Sequence, residues 1–387
     1  MLDAAYWFEH AVEKLLRLHN FLFLKKPGQL PEPNSVKRIL ICAYHGIGNF
    51  ILYTPTIEAL RRHFHNAVFD LQVGNRTGCE EVLSGSGYFE QVYDIPTDAP
   101  WRDWIEHISH IRSVGYDIVI NEFHSNSYAL ATMVTCSGIP YRVGHVRSPG
   151  WPDRYGFVYN IPVTMQEAQH EIDRYYALAL ALGVEPPVPP VEPFIYLRPE
   201  DRAFAADFLN RHAARGAKII GIQMGTSENM RWKQWQGYRE LAELLLEDPQ
   251  VWLLMLGSKT EAAMIRAAVE GLGQRVIVAA GLTTLKQAAA LIERCLLLCC
   301  NDSGLMHVAV AVKTPVVAVY GPTDYRRTAP LADIHTIVRK GLACSPCFKL
   351  EGDAAVKACS HRNCLNTLQV EEVYSAVRRV LSSRISS

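Results

Sequence analysis

Eight short apolar runs recur along the chain: "RILICA" from Arg38, "VFDLQV" from Val68, "YDIVI" from Tyr116, "KIIGIQM" from Lys218, "VWLLML" from Val251, "RVIVAA" from Arg275, "LLLCC" from Leu296 and "PVVAVYG" from Pro315. Runs this short and this apolar fit strands buried on both faces, and stretches with helical spacing of apolar positions separate them. Strands alternating with helices predict parallel βαβ units and an α/β fold. Between the third and fourth runs lies "ALGVEPPVPPVEPFIYL", from Ala181, whose clustered prolines favour an extended, semi-rigid connector. The predicted organisation is an N-terminal helical extension over 1–36, one α/β domain over 37–185 and a second over 186–387. Two domains also suit a chain of 387 residues, since single cores stop growing near ~250–300 residues.

Each domain opens in the same way, with a strand, a small-residue loop and a helix: "RILICAYHGIGNFILYTPTIEALRRHF" in the first and "KIIGIQMGTSENMRWKQWQGYRELAELL" in the second. Ligands of open α/β sheets bind beyond the carboxyl ends of the strands, so the expected site is a cleft between two such domains. The extension "AAYWFEHAVEKLLRLHNFLFLKK", from Ala4, spaces its apolar residues as a helix does and ends in two lysines. That pattern fits a helix docked on its own domain or one lying at a membrane surface.

Charge and composition narrow the partner. With 39 Lys+Arg against 39 Asp+Glu there is no global basic field of the kind that drives nucleic-acid binding, which points to a small-molecule ligand. The first residues lack the pattern of a secretory signal, and no apolar run is long enough to cross a bilayer, so the expected location is the cytoplasm. Of ten cysteines, Cys42, Cys295, Cys299 and Cys300 fall in strand-like runs as small buried hydrophobes.

The densest chemistry is in "NDSGLMHVAVAVKTPVVAVYGPTD", from Asn301. After the strand "LLLCC", Asp302 or Ser303 is a natural N-cap, and a helix from about Gly304 would aim its amides and positive dipole end beyond the strand, where a diphosphate fits. Ser303 and His307 are four apart and share a helix face. A capped helix with a core histidine is the competing reading.

This stretch closely resembles the donor-site signature of glycosyltransferase family 9, the bacterial heptosyltransferases: Asp-(Thr/Ser)-Gly-x-x-His before a buried strand and Gly-Pro-Thr. The opening "RILICAYHGIGNFILYTPTIEALRRHF", "HEIDRYYALALALGV" from His170, "MGTSENMRWKQWQGYRELAELL" and the C-terminal "CSPCFKL" and "CSHRNCLNTLQVEEVYSAV" are similar to other segments of that family, covering about residues 37 to 380. The resemblance implies a GT-B fold, two Rossmann-like domains facing across a cleft. It also implies inverting, metal-independent transfer of a sugar, most often heptose from ADP-heptose, to a lipopolysaccharide-type acceptor, at the cytoplasmic side with peripheral contact at the inner membrane left open. By the same resemblance Ser303, Gly304 and His307 hold the diphosphate or sugar with Asp302 beside them, Thr226 and Ser227 donate to phosphate, and Lys233 neutralises charge on the departing nucleotide. Fixed cations and oriented donors are what a metal-free leaving group needs. Glu261 matches a ribose-binding position, or alternatively serves its own helix's first turn. Leu282 is a candidate for the base pocket. The final helical pattern, Val370 to Leu381, is expected to cross back onto the first domain, as in many GT-B enzymes.

One position departs from the family. Its first turn usually runs Gly-Asp-x-x-x-x-Thr-Pro, with the Asp as general base, whereas this chain has Gly48-Asn49 before Thr54-Pro55. An amide orients a hydroxyl but takes up no proton at neutral pH. Three readings stand: His45, or Glu122 and His124 in "NEFHSN", acts as base; Asn49 positions an acceptor whose proton leaves late; or the chain binds nucleotide sugar or glycan without turnover. "HGIGNF" lacks the third Gly of a dinucleotide fingerprint, and Asp70 lies inside a strand pattern, which argues against a dehydrogenase. Cys344, Cys347, Cys359 and Cys364, in a Cys-rich segment over 344–364, are spaced for a structural zinc or iron knuckle, with reduced thiols or a disulfide as alternatives.

Overall fold

The computed structural model describes residues 2–23, 28–74, 78–122, 127–147, 154–166, 169–188, 192–348 and 354–385. The chain divides into two units, Met1–Glu192 and Pro193–Ser387. Each unit is α/β, built on one six-stranded sheet in which every pairing between neighbouring strands is parallel.

In the first unit the strands are β1 (Arg38–Ala43), β2 (Val68–Val73), β3 (Val92–Asp94), β4 (Ile118–Asn121), β5 (Tyr141–Val146) and β6 (Ile161–Thr164), in the order β3-β2-β1-β4-β5-β6. The central strands β1, β2 and β4 are the apolar runs read from sequence and are buried along nearly their whole length. Between β1 and β4 the chain's winding reverses, and a parallel sheet opens a ligand crevice at that point, beyond the carboxyl ends of its strands. Asp70 lies within β2, fully buried, accepting from the Tyr116 hydroxyl at 2.5 Å and the Gln91 amide at 2.9 Å. Its role is to brace the sheet.

The helix Ile47–His63 follows β1 with ten buried residues and a proline in its middle, Pro55. Proline has no N–H to give the carbonyl four residues back, Ile51, and the Thr54 hydroxyl donates there instead at 2.7 Å. The N-terminal helix Leu2–Phe23 docks on this same unit: Leu16 is in its core, Arg154 pairs with Glu9 and with Glu13 at 3.1 Å, and Asn20 donates to the Phe157 carbonyl at 3.0 Å.

The second unit repeats the plan with β7 (Lys218–Gln223), β8 (Val251–Met255), β9 (Val276–Val278), β10 (Leu297–Asn301), β11 (Val316–Val319) and β12 (Thr336–Val338), ordered β12-β11-β10-β7-β8-β9. Its reversal lies between β7 and β10. The C-terminal helix Val370–Ile385 places Val373, Ala376, Val377, Val380 and Leu381 in the second unit's own core, with Leu241 and Leu245. This corrects the expectation that it crosses to the first domain: its apolar stripe is consumed by the sheet it follows.

Candidate functional site

Two polar groups form, each at the reversal point of one sheet. In the second unit, Asn301 ends β10 and is fully buried. Its Oδ1 accepts the Trp235 N–H at 3.0 Å and its Nδ2 donates to the Met224 carbonyl at 3.0 Å, tying β10 to the loop that leaves β7. Gln223, the last residue of β7, donates to the Gly225 carbonyl and accepts from the Ser303 hydroxyl at 2.8 Å. The sequence reading assigned neither Asn301 nor Gln223 a role. The signal available was a buried amide closing an otherwise apolar strand.

Ser303 takes the N-cap position of the helix Gly304–Ala311 in extended conformation, yet its hydroxyl is turned to Gln223 and makes no cap bond. The first-turn amides of that helix, beginning at Gly304, therefore meet no hydroxyl acceptor from their cap. They present the positive dipole end beyond the sheet. Asp302, next to the cap, accepts from Lys233 Nζ at 3.3 Å. Burial pushes the Asp302 carboxyl up, but the charges of Lys233 and His307 outweigh it and hold it below the usual carboxylate range. His307 is buried and works on a carboxylate, so its neighbourhood is polar and not hydrocarbon alone. Lys233, Asp302, Ser303, Gly304 and His307 are thus gathered as the sequence suggested.

The rest of the donor-side set is arranged differently. Thr226 is buried and donates to the Met230 carbonyl at 3.1 Å, closing the 3-10 helix Glu228–Lys233 that carries the lysine. Ser227, at the N-cap of the same turn, is exposed. Glu261 accepts from the Ser258 amide at 2.7 Å and the Ser258 hydroxyl at 2.6 Å at the start of its helix, the local role weighed beforehand. It also lies against the β7 loop, since a Cβ at Gly225 would sit 1.8 Å from Glu261 Oε1. Leu282 is exposed in the loop after β9.

The Cys-rich segment braces this loop system. The Cys347 and Phe348 amides both donate to the Pro322 carbonyl at 2.9 Å, Ser345 donates to the Gly321 carbonyl, and the Phe348 ring lies 5.0 Å from that of Trp232, the neighbour of Lys233. Among the described residues no three His, Cys, Asp or Glu side chains are placed to hold a metal ion, yet the four thiols are neighbours: burial, with Cys347, Cys359 and Cys344 nearby, pushes the Cys364 thiol up to about 11. Cys364 is drawn into the core beside Leu365 and Leu368, while Cys344 stays exposed.

In the first unit, His45 follows β1 and Glu122 follows β4. His45 Nδ1 lies 3.2 Å from Glu122 Oε1, and the His45 amide donates to the same oxygen at 3.2 Å. The Glu122 side chain is wholly buried and that of His45 is about a quarter exposed, at 24%. Glu122 Oε2 has no hydrogen-bond partner among the described residues. His145 fixes the backbone beneath, with Nδ1 2.6 Å from the Glu122 carbonyl and Nε2 2.9 Å from that of Arg174, and burial keeps its pKa low. Asn49 sits half-buried in the first turn of the helix after His45. His124 lies outside the described residues.

The family described as "Glycosyltransferase family 9 (heptosyltransferase)" matches residues 104–356. Lipooligosaccharide heptosyltransferase 2 of Haemophilus ducreyi is 32% identical over 321 residues, 78% of this chain and 88% of that protein. The protein of the same name from Haemophilus influenzae is 27% identical over 317 residues, with the same coverage. Among solved structures, that of the Escherichia coli ADP-heptose lipopolysaccharide heptosyltransferase II superposes with a TM-score of 0.69 at 22% identity, covering 90% of this chain and 99% of its own. That likeness establishes the GT-B fold.

Proposed function

The chain belongs to glycosyltransferase family 9 and is a glycosyltransferase, and from that premise we propose that it moves heptose from ADP-heptose to a lipopolysaccharide acceptor, inverting the anomeric centre without a metal. The observation that carries this reading is the grouping of Lys233, Asp302 and His307 at the N-terminus of the helix Gly304–Ala311. Transfer breaks the bond between the anomeric carbon and the β-phosphate oxygen while the acceptor oxygen bonds the carbon from the opposite face. Negative charge grows on the departing ADP, and fixed cations and amides that need no reorganisation stabilise it. Lys233 supplies the cation, Asp302 fixes its ammonium, and the helix amides with His307 hold the diphosphate. Ser303 keeps Gln223 and the β7 loop in register, with Glu261 on the ribose side.

The acceptor proton goes to His45, whose other ring nitrogen is oriented by Glu122, while Asn49 aligns the hydroxyl through its carbonyl oxygen. This assigns the work of the missing aspartate to the histidine four residues earlier, and it supports turnover in preference to binding alone. The enzyme is placed in the cytoplasm, with peripheral contact at the inner membrane. To test the proposal, the purified chain is incubated with ADP-heptose and a heptose-free lipopolysaccharide acceptor, with and without EDTA. ADP release and the product's anomeric configuration are then followed. No transfer from ADP-heptose would remove the donor assignment, retained configuration the inverting mechanism, and loss of activity in EDTA the metal independence.

A further inference from the structure

The N-terminal helix Leu2–Phe23 is docked along one side only. Leu16, Glu9, Glu13 and Asn20 face the first unit, whereas Leu15, Leu18, Phe21, Leu22 and Phe23 are each more than half exposed, Phe21 at 86%. Leu15, Leu18 and Leu22 follow an i, i+3, i+7 spacing and form one stripe along the helix. Leu15, Leu18, Leu22 and Phe23 themselves form one wall of an apolar groove of about 650 Å³, whose other wall is Trp101, Thr132 and Cys136. Single exposed leucines are ordinary on a soluble protein, but a continuous apolar stripe that walls an apolar groove marks a surface that something covers.

We infer that the exposed face of this helix is a lipid-surface anchor that seats the enzyme on an anionic bilayer. Three observations select a bilayer as the occupant. The acids of the described helix face, Glu9 and Glu13, are turned to Arg154 and Arg17, so the charge left outward is Lys14, which is exposed at the edge of the apolar stripe; Lys25 and Lys26 follow Phe23 in sequence. An apolar stripe edged by a lysine complements anionic headgroups over acyl chains. The proposed acceptor is itself lipid-borne, so the enzyme works at a membrane face; this step rests on the acceptor reading above. Among the described residues no helix is long and apolar enough to cross a membrane, so the contact is one of lying on the surface.

The test uses the full chain without donor or acceptor, so it does not depend on transfer. The protein is floated with vesicles of phosphatidylethanolamine and phosphatidylglycerol, and its mass is measured by light scattering. The wild type should float with vesicles, and Leu18→Ser/Phe21→Ser/Leu22→Ser should lower the partition coefficient at least ~10-fold, given the apolar area removed. Transfer to a lipid-free core oligosaccharide should stay unchanged. Lys14→Glu should weaken binding to these vesicles but not to neutral phosphatidylcholine ones, and added salt should mimic it. Should the triple variant melt at a lower temperature than the wild type, Phe21→Ser and Lys14→Glu carry the comparison. A wild type that stays unbound, or variants that float as well as it does, overturns the inference. So does a wild-type dimer, dissolved by the triple variant, that binds no vesicles: the face is then covered by a second copy.

Discussion

Lys233→Ala should damage the enzyme in two separable ways. Lys233 Nζ and Asp302 Oδ2 are 3.3 Å apart, which at an effective dielectric of about 20 corresponds to a gross attraction of about 5 kcal/mol. Most of that is offset by desolvating both charges. Removing only the lysine, however, leaves Asp302 buried without its ammonium, and we expect a loss of about 2–3 kcal/mol in a urea melt, less than the ~3–5 of a fully buried pair because Lys233 keeps some contact with water. The pH dependence follows. Asp302 is held below its ordinary value in the folded state, so the stability it contributes is complete above the unfolded carboxylate pKa of about 3.9 and is lost as pH falls through the lower, folded value. Without Lys233, burial dominates and lifts the carboxyl above its unfolded value, so the sign reverses: the variant should be weakest near neutral pH and should regain stability as pH falls and Asp302 takes up a proton. The catalytic cost is distinct: a fixed positive group at a departing phosphate is worth roughly 10²–10³ in kcat. Lys233→Ala/Asp302→Asn should therefore regain most of the stability but none of the kcat, read from urea melts and ADP release side by side. A Lys233→Ala enzyme with wild-type kcat, or a double variant as unstable as the single one, would refute the reasoning.

Three further outcomes are expected. His45→Ala should lower kcat by roughly 10²–10⁴ with little change in donor KM, and Asn49→Asp placed in that background should recover part of it by restoring a carboxylate in the same turn; a wild-type rate in His45→Ala would exclude the histidine as base, and no recovery in the double variant would exclude position 49 as a site for one. Gly225→Ala puts a Cβ where Glu261 Oε1 now lies, so it should raise the KM for donor several-fold while leaving the melting temperature within a few degrees, measured by initial rates and by scanning fluorimetry. Asn301→Ala strands the Trp235 amide and the Met224 carbonyl in a buried loop and should cost about 2–3 kcal/mol in a denaturant melt.

All eight apolar runs became strands, because a strand buried on both faces must be apolar throughout and nothing else so short is. The four strands that escaped notice had no such signature. β3, β6 and β12 lie at sheet edges, half-buried or exposed and three or four residues long, so their sequences carry little pattern. β5 is interior, but its run includes Arg142 and His145, which read as surface and are in fact buried. The donor-side motif was legible because Asp302, Ser303, Gly304 and His307 are close in sequence and share one turn of helix. What sequence could not supply were the ties across long separations: Ser303 to Gln223 over 80 residues, Lys233 to Asp302 over 69, and His45 to Glu122 over 77. The cysteines make the same point, since regular spacing said nothing of Cys364 also packing into the core.

The loop bearing Lys233 is held from far downstream: Trp232 leans on Phe348, Trp235 donates to the Leu368 carbonyl at 3.1 Å, and Val373 to Leu381 complete the hydrophobic interior beneath. During vectorial synthesis the first unit can settle while the ribosome is still reading the second, whose nucleotide-facing loop gains its final shape only once residues 368–381 have been translated. A nascent or C-terminally clipped chain would accordingly be a half-finished enzyme, folded at its beginning and unable to grip a nucleotide sugar.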